Sequence, residues 1–423
     1  MSGVKQDAGE QVLNGIGPHL PQWPHFGEDE RAAVDRVLRS GRVNYWTGGE
    51  GAAFEHEFAA FVGTEHAVAV ANGTVALELA LHAFSIGAGD EVITTPRTFM
   101  ASASAIILRG ARPVFADVDP ASGNITAESI RARLTDRTRA VIVVHLAGWP
   151  AEMDAIMELA RERDLIVIED CAQAHGAVHR GRRVGSIGHA GAFSFCQDKI
   201  MTTAGEGGML TLNDEAAWKR AWAYKEHGKD YDAVHTPPDR PGYRPIYHSF
   251  GTNWRLSEVQ AAVGRVQLRK LPGWLETRAR NARLFIEGLA SITGLDFPVP
   301  AEGLEHAYYK LYAYVDQDRL APGWSRDRIL AEATALGVPL FSGSASEIYL
   351  EKAFTNLGLD QAVLPEARSM GQESLMFVVH PTLAEEHVKW MIARLRPLLE
   401  GALSGSIPLP AGVPPYTRLQ QRP

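Results

Sequence analysis

The sequence predicts a three-layer α/β domain followed by a smaller α+β domain. Two observations predict the first and one predicts the second. Several short runs are apolar on both faces, VIVV at 141–144 and LIVI at 165–168 among them, and strands buried on both faces belong to mostly parallel sheets covered by helices. Stretches of helical period alternate with these runs, and the order βαβα builds such a helix-covered sheet. After about residue 213 the alternation stops, and longer helical stretches with few strand candidates take over.

Taken in order, residues 1–27 carry Gly and Pro with little periodicity and read as an arm. The strands expected next are Ala67–Val70, Glu91–Thr94, Pro113–Val118, Ala140–His145, Leu165–Asp170, Ala190–Phe195 and Gly208–Leu212. Helices are expected over Val75–Phe84, Phe99–Leu108, Glu128–Leu134 and Ala151–Arg163. Beyond them, helices Glu215–His227 and Ser257–Leu271 frame a polar loop, 228–250, and a separate helix Trp274–Ser291 leads away from the sheet. Strands Tyr309–Val315 and Ser374–His380 with helices Arg326–Leu336 and Ala384–Leu403 make the smaller domain. The large domain is thus placed at 28–275 and the small one at 276–403, with a Pro- and Gly-containing tail, 404–423, as a draped extension.

Composition narrows the function classes. The chain has 423 residues, 45% hydrophobic and 22% charged, which suits a globular protein with a large core. A net charge of −8 with interspersed signs argues against nucleic acid as a partner. No apolar run reaches the ~18 residues that cross a bilayer, and the polar first residues MSGVKQDAGEQ hold no signal core, so a cytoplasmic location is expected. The two cysteines, Cys171 and Cys196, are expected to be free structural thiols.

Three segments carry chemistry. In ANGTVALELA at 71–80 a strand ends and an apolar helix begins. A helix N-terminus offers free N–H groups and partial positive charge, so Gly73 and Thr74 could hold a phosphate, although an ordinary cap explains the segment equally well. In IEDCAQAHG at 168–176, Glu169 and Asp170 stand at the end of a buried strand. That end faces the ligand crevice of an open α/β sheet. Adjacent strand residues point to opposite faces, and a buried carboxylate needs a cationic or hydrogen-bonding partner. In AFSFCQDKIMTTAGEGGML at 192–210, a strand delivers Ser194, a polar turn presents Lys199, and glycines lead into another strand. A nucleophilic lysine needs its amine partly deprotonated, which burial and nearby positive charge favour. The lysine precedes the glycines, so this is no phosphate-binding P-loop. His145 and His175 show no metal-ligand spacing and read as structural histidines, so no metal is expected.

Together these segments resemble the DegT/DnrJ/EryC1/StrS family of pyridoxal-phosphate-dependent sugar aminotransferases. The resemblance runs from about residue 28 to 400 and also rests on FEHEFAAFVGTEHAVAVANGTVALELAL at 54–81, GDEVITTPRTFMASASAI at 89–106, VHLAGWPAEMDAI at 144–156 and GTNWRLSEVQAAVG at 251–264. It implies the aspartate-aminotransferase fold, type I among pyridoxal-phosphate enzymes. It further implies a homodimer with shared active sites and a cofactor that cycles through pyridoxamine phosphate. It makes Lys199 the Schiff-base lysine and Asp170 the partner of the pyridine nitrogen. Gln173 then faces the phenolic oxygen, Phe99 stacks on the ring, and Gly73, Thr74 and Ser194 bind the phosphate. Asn253 reaches the phosphate of the neighbouring subunit's cofactor. Two departures stand out: CQD precedes the lysine where the family more often has asparagine, with Asp198 read as facing solvent, and Phe99 replaces the usual Trp or Tyr.

The resemblance points to transfer of an amino group from L-glutamate or L-glutamine to a keto-sugar, nucleotide-linked, for a polysaccharide or a glycosylated metabolite. Amination of a keto-cyclitol is the alternative acceptor chemistry, and a non-catalytic regulatory protein on the same fold is the alternative class. The complete Asp170–Gln173–Lys199 set weighs against the latter, and the lysine weighs against a related dehydratase, which carries histidine there. His227, Tyr231 and His248, in or beside the polar loop, are candidate substrate contacts.

Overall fold

The computed structural model describes residues 20–237, 244–359 and 362–404. Most of the expected arm and tail, and part of the loop 228–250, therefore lie outside the described residues.

The central sheet has seven strands: β1 (His66–Val70), β2 (Glu91–Thr94), β3 (Arg112–Phe115), β4 (Thr138–Val144), β5 (Ile166–Asp170), β8 (Ala190–Ser194) and β9 (Gly208–Leu212). A short hairpin, β6 (Val178–His179) and β7 (Arg182–Arg183), branches off between β5 and β8. The spatial order is β1-β9-β8-β5-β4-β2-β3. Strand β9 runs antiparallel to both neighbours, and the other pairs are parallel. Val68, Val92, Ile142, Ile168 and Leu210 pack with helices Gly73–Ala83 and Ala101–Leu108 on one side, while Ile93, Val141, Val143 and Val167 face Met153, Ile156 and Leu159 on the other. That two-sided burial is why these strands read as continuous apolar runs.

Register positions the site. Val70 at the end of β1 pairs with Gly208, which also pairs with Ser194 at the end of β8. The helix that follows β1 therefore starts beside Ser194. Asp170 pairs with Ala192, so the carboxylate strand ends next to the strand that leads to Lys199.

The second sheet holds β10 (Leu295–Asp296), β12 (Leu311–Val315), β13 (Leu340–Phe341) and β14 (Ser374–Phe377), in the order β10-β12-β14-β13. The short β11 (Leu304–Glu305) pairs with β6 instead. Helices Arg326–Ala335 and Glu385–Ser404 cover the four-stranded sheet, around Phe285, Leu311, Phe377, Val388 and Leu395.

One expectation is corrected. Ser257–Leu271 and Trp274–Ser291 form a single helix, Glu258–Leu289, with Pro272 inside it. Pro272 and Gly273 lie on the exposed side, and the helix continues through them although proline leaves the Leu268 carbonyl without its helical donor. The helix begins with a capping box between Ser257 and Gln260 and runs past position 275, so it contributes to both cores. Among the described residues, no helix is long and apolar enough to cross a membrane.

Candidate active site

The phosphate end comes first in the chain. Asn72 caps the helix Gly73–Ala83, its Oδ1 accepting from the Val75 N–H at 3.0 Å. A Cβ placed on Gly73 would lie 2.6 Å from the Ser194 Cβ. Glycine alone thus lets the helix start meet the end of β8. The N-terminal N–H groups of this helix thus start beside Ser194, where the sequence expects an anion.

At the end of β5 the two carboxylates part. Glu169 turns to one face and accepts from Ile187 N at 2.8 Å, Gly188 N at 2.7 Å and His145 Nε2 at 3.0 Å. His145 Nδ1 accepts from Ala151 N at 3.0 Å, which fixes the ring as the neutral Nε2–H tautomer. His145, Glu169 and Cys171 lie close enough to share an ion, but both ring nitrogens and the carboxylate are already engaged. Asp170 turns to the other face and accepts from Ser102 Oγ at 2.7 Å and Ala172 N at 3.1 Å. It is 5% exposed. Burial pushes its pKa up, against the pull of Ser102, the Ala172 N–H and the Lys199 charge. A cation beside it would reverse that shift. Gln173 Oε1 accepts from Ala147 N at 2.7 Å, which leaves its NH2 as the free end. His175 is buried against Phe193 and Phe195, with the Ser194 backbone as its polar neighbour and no hydrogen bond of good geometry among the described residues. Burial, with the Lys199 charge behind it, brings it down to about 3, so it is neutral.

Lys199 sits on the turn after β8. Its carbonyl accepts from Trp23 Nε1 at 2.8 Å, a tie from the arm to the lysine turn. Its Nζ lies 5.1 Å from the centre of the Tyr309 ring. Asp198 is exposed, as the sequence suggests, yet its side chain is also engaged. Its carboxylate accepts from the Tyr309 hydroxyl, a partner 111 positions away that no local pattern announces. Burial opposes ionisation there, but Lys199, Lys310 and the Tyr309 hydroxyl outweigh it and hold the pKa below the ordinary range.

The remaining candidates are more scattered. Phe99 is 70% exposed at the start of the turn that leads to Ser102. Asn253 is exposed and its Oδ1 accepts from Arg255 Nη1 at 3.1 Å, so its NH2 points away from that arginine. Arg255 is itself anchored on buried Glu226 at 2.6 Å. His227 and His248 are exposed, the latter near Asp230 at 3.4 Å. Tyr231 packs against Trp218 and Trp222. Among the described residues no hydrogen bond or ring contact joins these three to Asp170, Gln173, Ser194 or Lys199. Sequence reasoning missed Ser102, Trp23 and Tyr309. Ser102 lies among small residues in ASASA, and the other two act through contacts that only the fold creates.

The residues fit pyridoxal phosphate. One end offers a glycine-cleared anion cradle, the middle a buried carboxylate short of a cation, and the far end a lysine amine. Comparison with known proteins agrees. Residues 24–396 match the DegT/DnrJ/EryC1/StrS aminotransferase family. The solved aminotransferase of Psychrobacter cryohalolentis is 55% identical with a TM-score of 0.89, over 90% of this chain and 99% of that one. GDP-perosamine synthase of Caulobacter vibrioides is 37% identical over 352 residues, 82% of this chain and 89% of that protein. L-glutamine:2-deoxy-scyllo-inosose aminotransferase of Streptoalloteichus tenebrarius is 38% identical over 338 residues, 78% and 79% of the two chains. The chain belongs to the DegT/DnrJ/EryC1/StrS aminotransferase family and is a pyridoxal-phosphate-dependent aminotransferase of the type I fold.

Proposed function

We propose that the protein moves an amino group from L-glutamate or L-glutamine to the ketone of a nucleotide-linked keto-sugar. It does so as a cytoplasmic homodimer whose protomers complete one another's sites. The observation that carries the chemistry is the convergence of buried Asp170, the Gly73–Ser194 cradle and Lys199 at the ends of adjacent strands. A relative named as a GDP-perosamine synthase supports the nucleotide-linked acceptor. A relative named for an inosose supports the second reading, a keto-cyclitol acceptor, and its name supports glutamine as donor.

Pyridoxal phosphate, when bound, supplies an electron sink for the substrate carbon. The chain's residues do the rest. Gly73, Thr74 and Ser194 would hold the phosphate, with Asn253 of the neighbouring protomer. Asp170, kept in place by Ser102, would stabilise a proton on the ring nitrogen. Gln173, its carbonyl oxygen tied to Ala147, would offer N–H to the phenolic oxygen. Phe99 would support the ring. Lys199 Nζ would hold the cofactor and would move a proton at the substrate carbon.

The test is the visible spectrum of the purified protein. Wild type shows the band of lysine-bound cofactor, and L-glutamate or L-glutamine converts it to a pyridoxamine-like band. Lys199→Ala loses the first band and turnover while keeping its fold. Multiple turnovers by that variant would refute the role of Lys199.

A further inference from the structure

We propose that Lys310, backed by Arg278, anchors the α-carboxylate of the amino donor. The inference rests on the reading of Lys199 as the amine-handling lysine and adds a donor subsite to it.

The geometry starts with the peptide 307–310, which docks on the loop after β4. Ala307 N donates to Gly148 O at 2.9 Å and Lys310 N to Ala147 O at 3.4 Å. Ala147 N in turn donates to Gln173, so Lys310 is rooted next to the Gln173 side of the site. The preceding residue reaches the other side, because Tyr309 donates to Asp198 beside Lys199. The Tyr309 ring carries both amines. Lys199 Nζ lies 5.1 Å from its centre and Lys310 Nζ 4.9 Å. The two are neighbours on one aromatic support.

Charge at this spot is unbalanced. No carboxylate stands within ion-pair distance of Lys310 among the described residues. The nearby carboxylate, Asp198, already accepts the Tyr309 hydroxyl. Arg278 is 1% exposed on the long helix; its Nη1 donates to the carbonyls of Tyr308 and Tyr309, each at 3.2 Å, while Nε and Nη2 have no partner among the described residues. Three cations thus gather around one carboxylate, Arg278 buried and the two lysines partly buried. An excess of positive charge in such a place is costly until an anion joins it. Burial, opposed by Asp198 but helped by Arg278 and Lys199, brings Lys310 down to about 8, so the ammonium still exists at neutral pH.

The chemistry at Lys199 selects the anion. An amino acid carries its carboxylate one bond from the carbon whose amine is exchanged. A keto-sugar carries neutral hydroxyl-bearing carbons at that position. A cation beside Lys199 therefore recognises the donor and is indifferent to the acceptor. The same oxyanion chemistry could come from an acceptor's phosphate or from the cofactor, and the test separates these sources.

The experiment uses holoenzyme and three variants of one position: wild type, Lys310→Met and Lys310→Arg. L-glutamate is titrated while the lysine-bound cofactor band is followed, and L-isoglutamine, whose α-carboxylate is an amide, serves as the uncharged probe. Loss of one charge-assisted contact should raise the L-glutamate concentration for half conversion by about 10- to 100-fold in Lys310→Met. Lys310→Arg should restore most of it. Affinity for L-isoglutamine, cofactor affinity and the unfolding temperature should stay as in wild type. Equal weakening of both amino compounds, a change in cofactor affinity alone, or a rise confined to the acceptor's KM overturns the proposal. A wild-type protein whose band no amino acid alters refutes the aminotransfer reading itself.

Discussion

Gly73→Ala probes the contact on which the phosphate cradle depends. The new Cβ would sit 2.6 Å from the Ser194 Cβ and 3.1 Å from its Cα and Oγ. Carbon atoms pack at ~3.5–4.0 Å, so the helix Gly73–Ala83 and β8 must separate by about 1 Å. Overpacking of this kind costs about 1–3 kcal/mol. Alanine's better helix propensity returns only about 0.5–1 kcal/mol, and less in a first turn. A net loss of about 1–2 kcal/mol in the cofactor-free protein is expected. The same displacement moves the helix N–H groups away from the Ser194 hydroxyl and weakens at least one bond to the phosphate, worth about 1.5–3 kcal/mol or roughly 10- to 100-fold in affinity. Unfolding is measured with and without pyridoxal phosphate, because ligand-linked stabilisation reports the dissociation constant. Adding Ser194→Gly removes the colliding carbon, so the double variant should regain stability but not phosphate affinity. If Gly73→Ala alone changes neither stability nor cofactor affinity, the close approach has no role in the site.

Three further outcomes are expected. Trp23→Phe keeps the ring against Trp274 but loses the bond to the Lys199 carbonyl; it should cost about 1 kcal/mol and lower kcat with little change in KM, whereas equal kcat would show that the arm does not position the lysine turn. Asn253→Ala should weaken cofactor binding, and mixing it with Lys199→Ala should restore about one working site per heterodimer, since each defect then falls in the same site and leaves the other whole; no recovery would mean that Asn253 serves its own protomer. His175 is neutral in the folded protein, held at about 3 by burial and the Lys199 charge, while in the unfolded chain it titrates near 6.5. The unfolded state therefore binds the extra proton first, and stability falls as pH drops from 6.5 toward 3. Between pH 7 and 5.5 the loss should be about 1 kcal/mol, and His175→Phe should flatten that part of the profile.

Much of the fold was legible because periodicity reports burial directly. The limits of β2 and β9 agree with the sequence expectation to the residue, and those of the other main strands within a few. Pro272 misled because an interior proline reads as a helix end, whereas packing of the helix into both cores carries it through, and packing is a tertiary property. Asp170 and Lys199 were readable because a carboxylate and a lysine stood at the ends of apolar strands. Their neighbours were not. Ser102, Trp23 and Tyr309 are ordinary residues in ordinary contexts until the fold brings them to Asp170, the Lys199 carbonyl and Asp198.

The sequence by itself determined the layered architecture and the family, and singled out the three segments proposed to meet the cofactor, since these rest on local pattern and on residue types that few other roles require. Strand alternation separates Glu169 and Asp170 without saying which face carries the site; the resemblance named Asp170, and only the tertiary structure showed the partners of each, Ser102 for Asp170 and His145 for Glu169. It alone gave the exposed Asp198 a partner in Tyr309, and set Lys310 and Arg278 near Lys199 with no ion-paired carboxylate among the described residues. Charge balance in a buried site depends on distances between distant segments of chain, and those exist only once both domains have folded against each other.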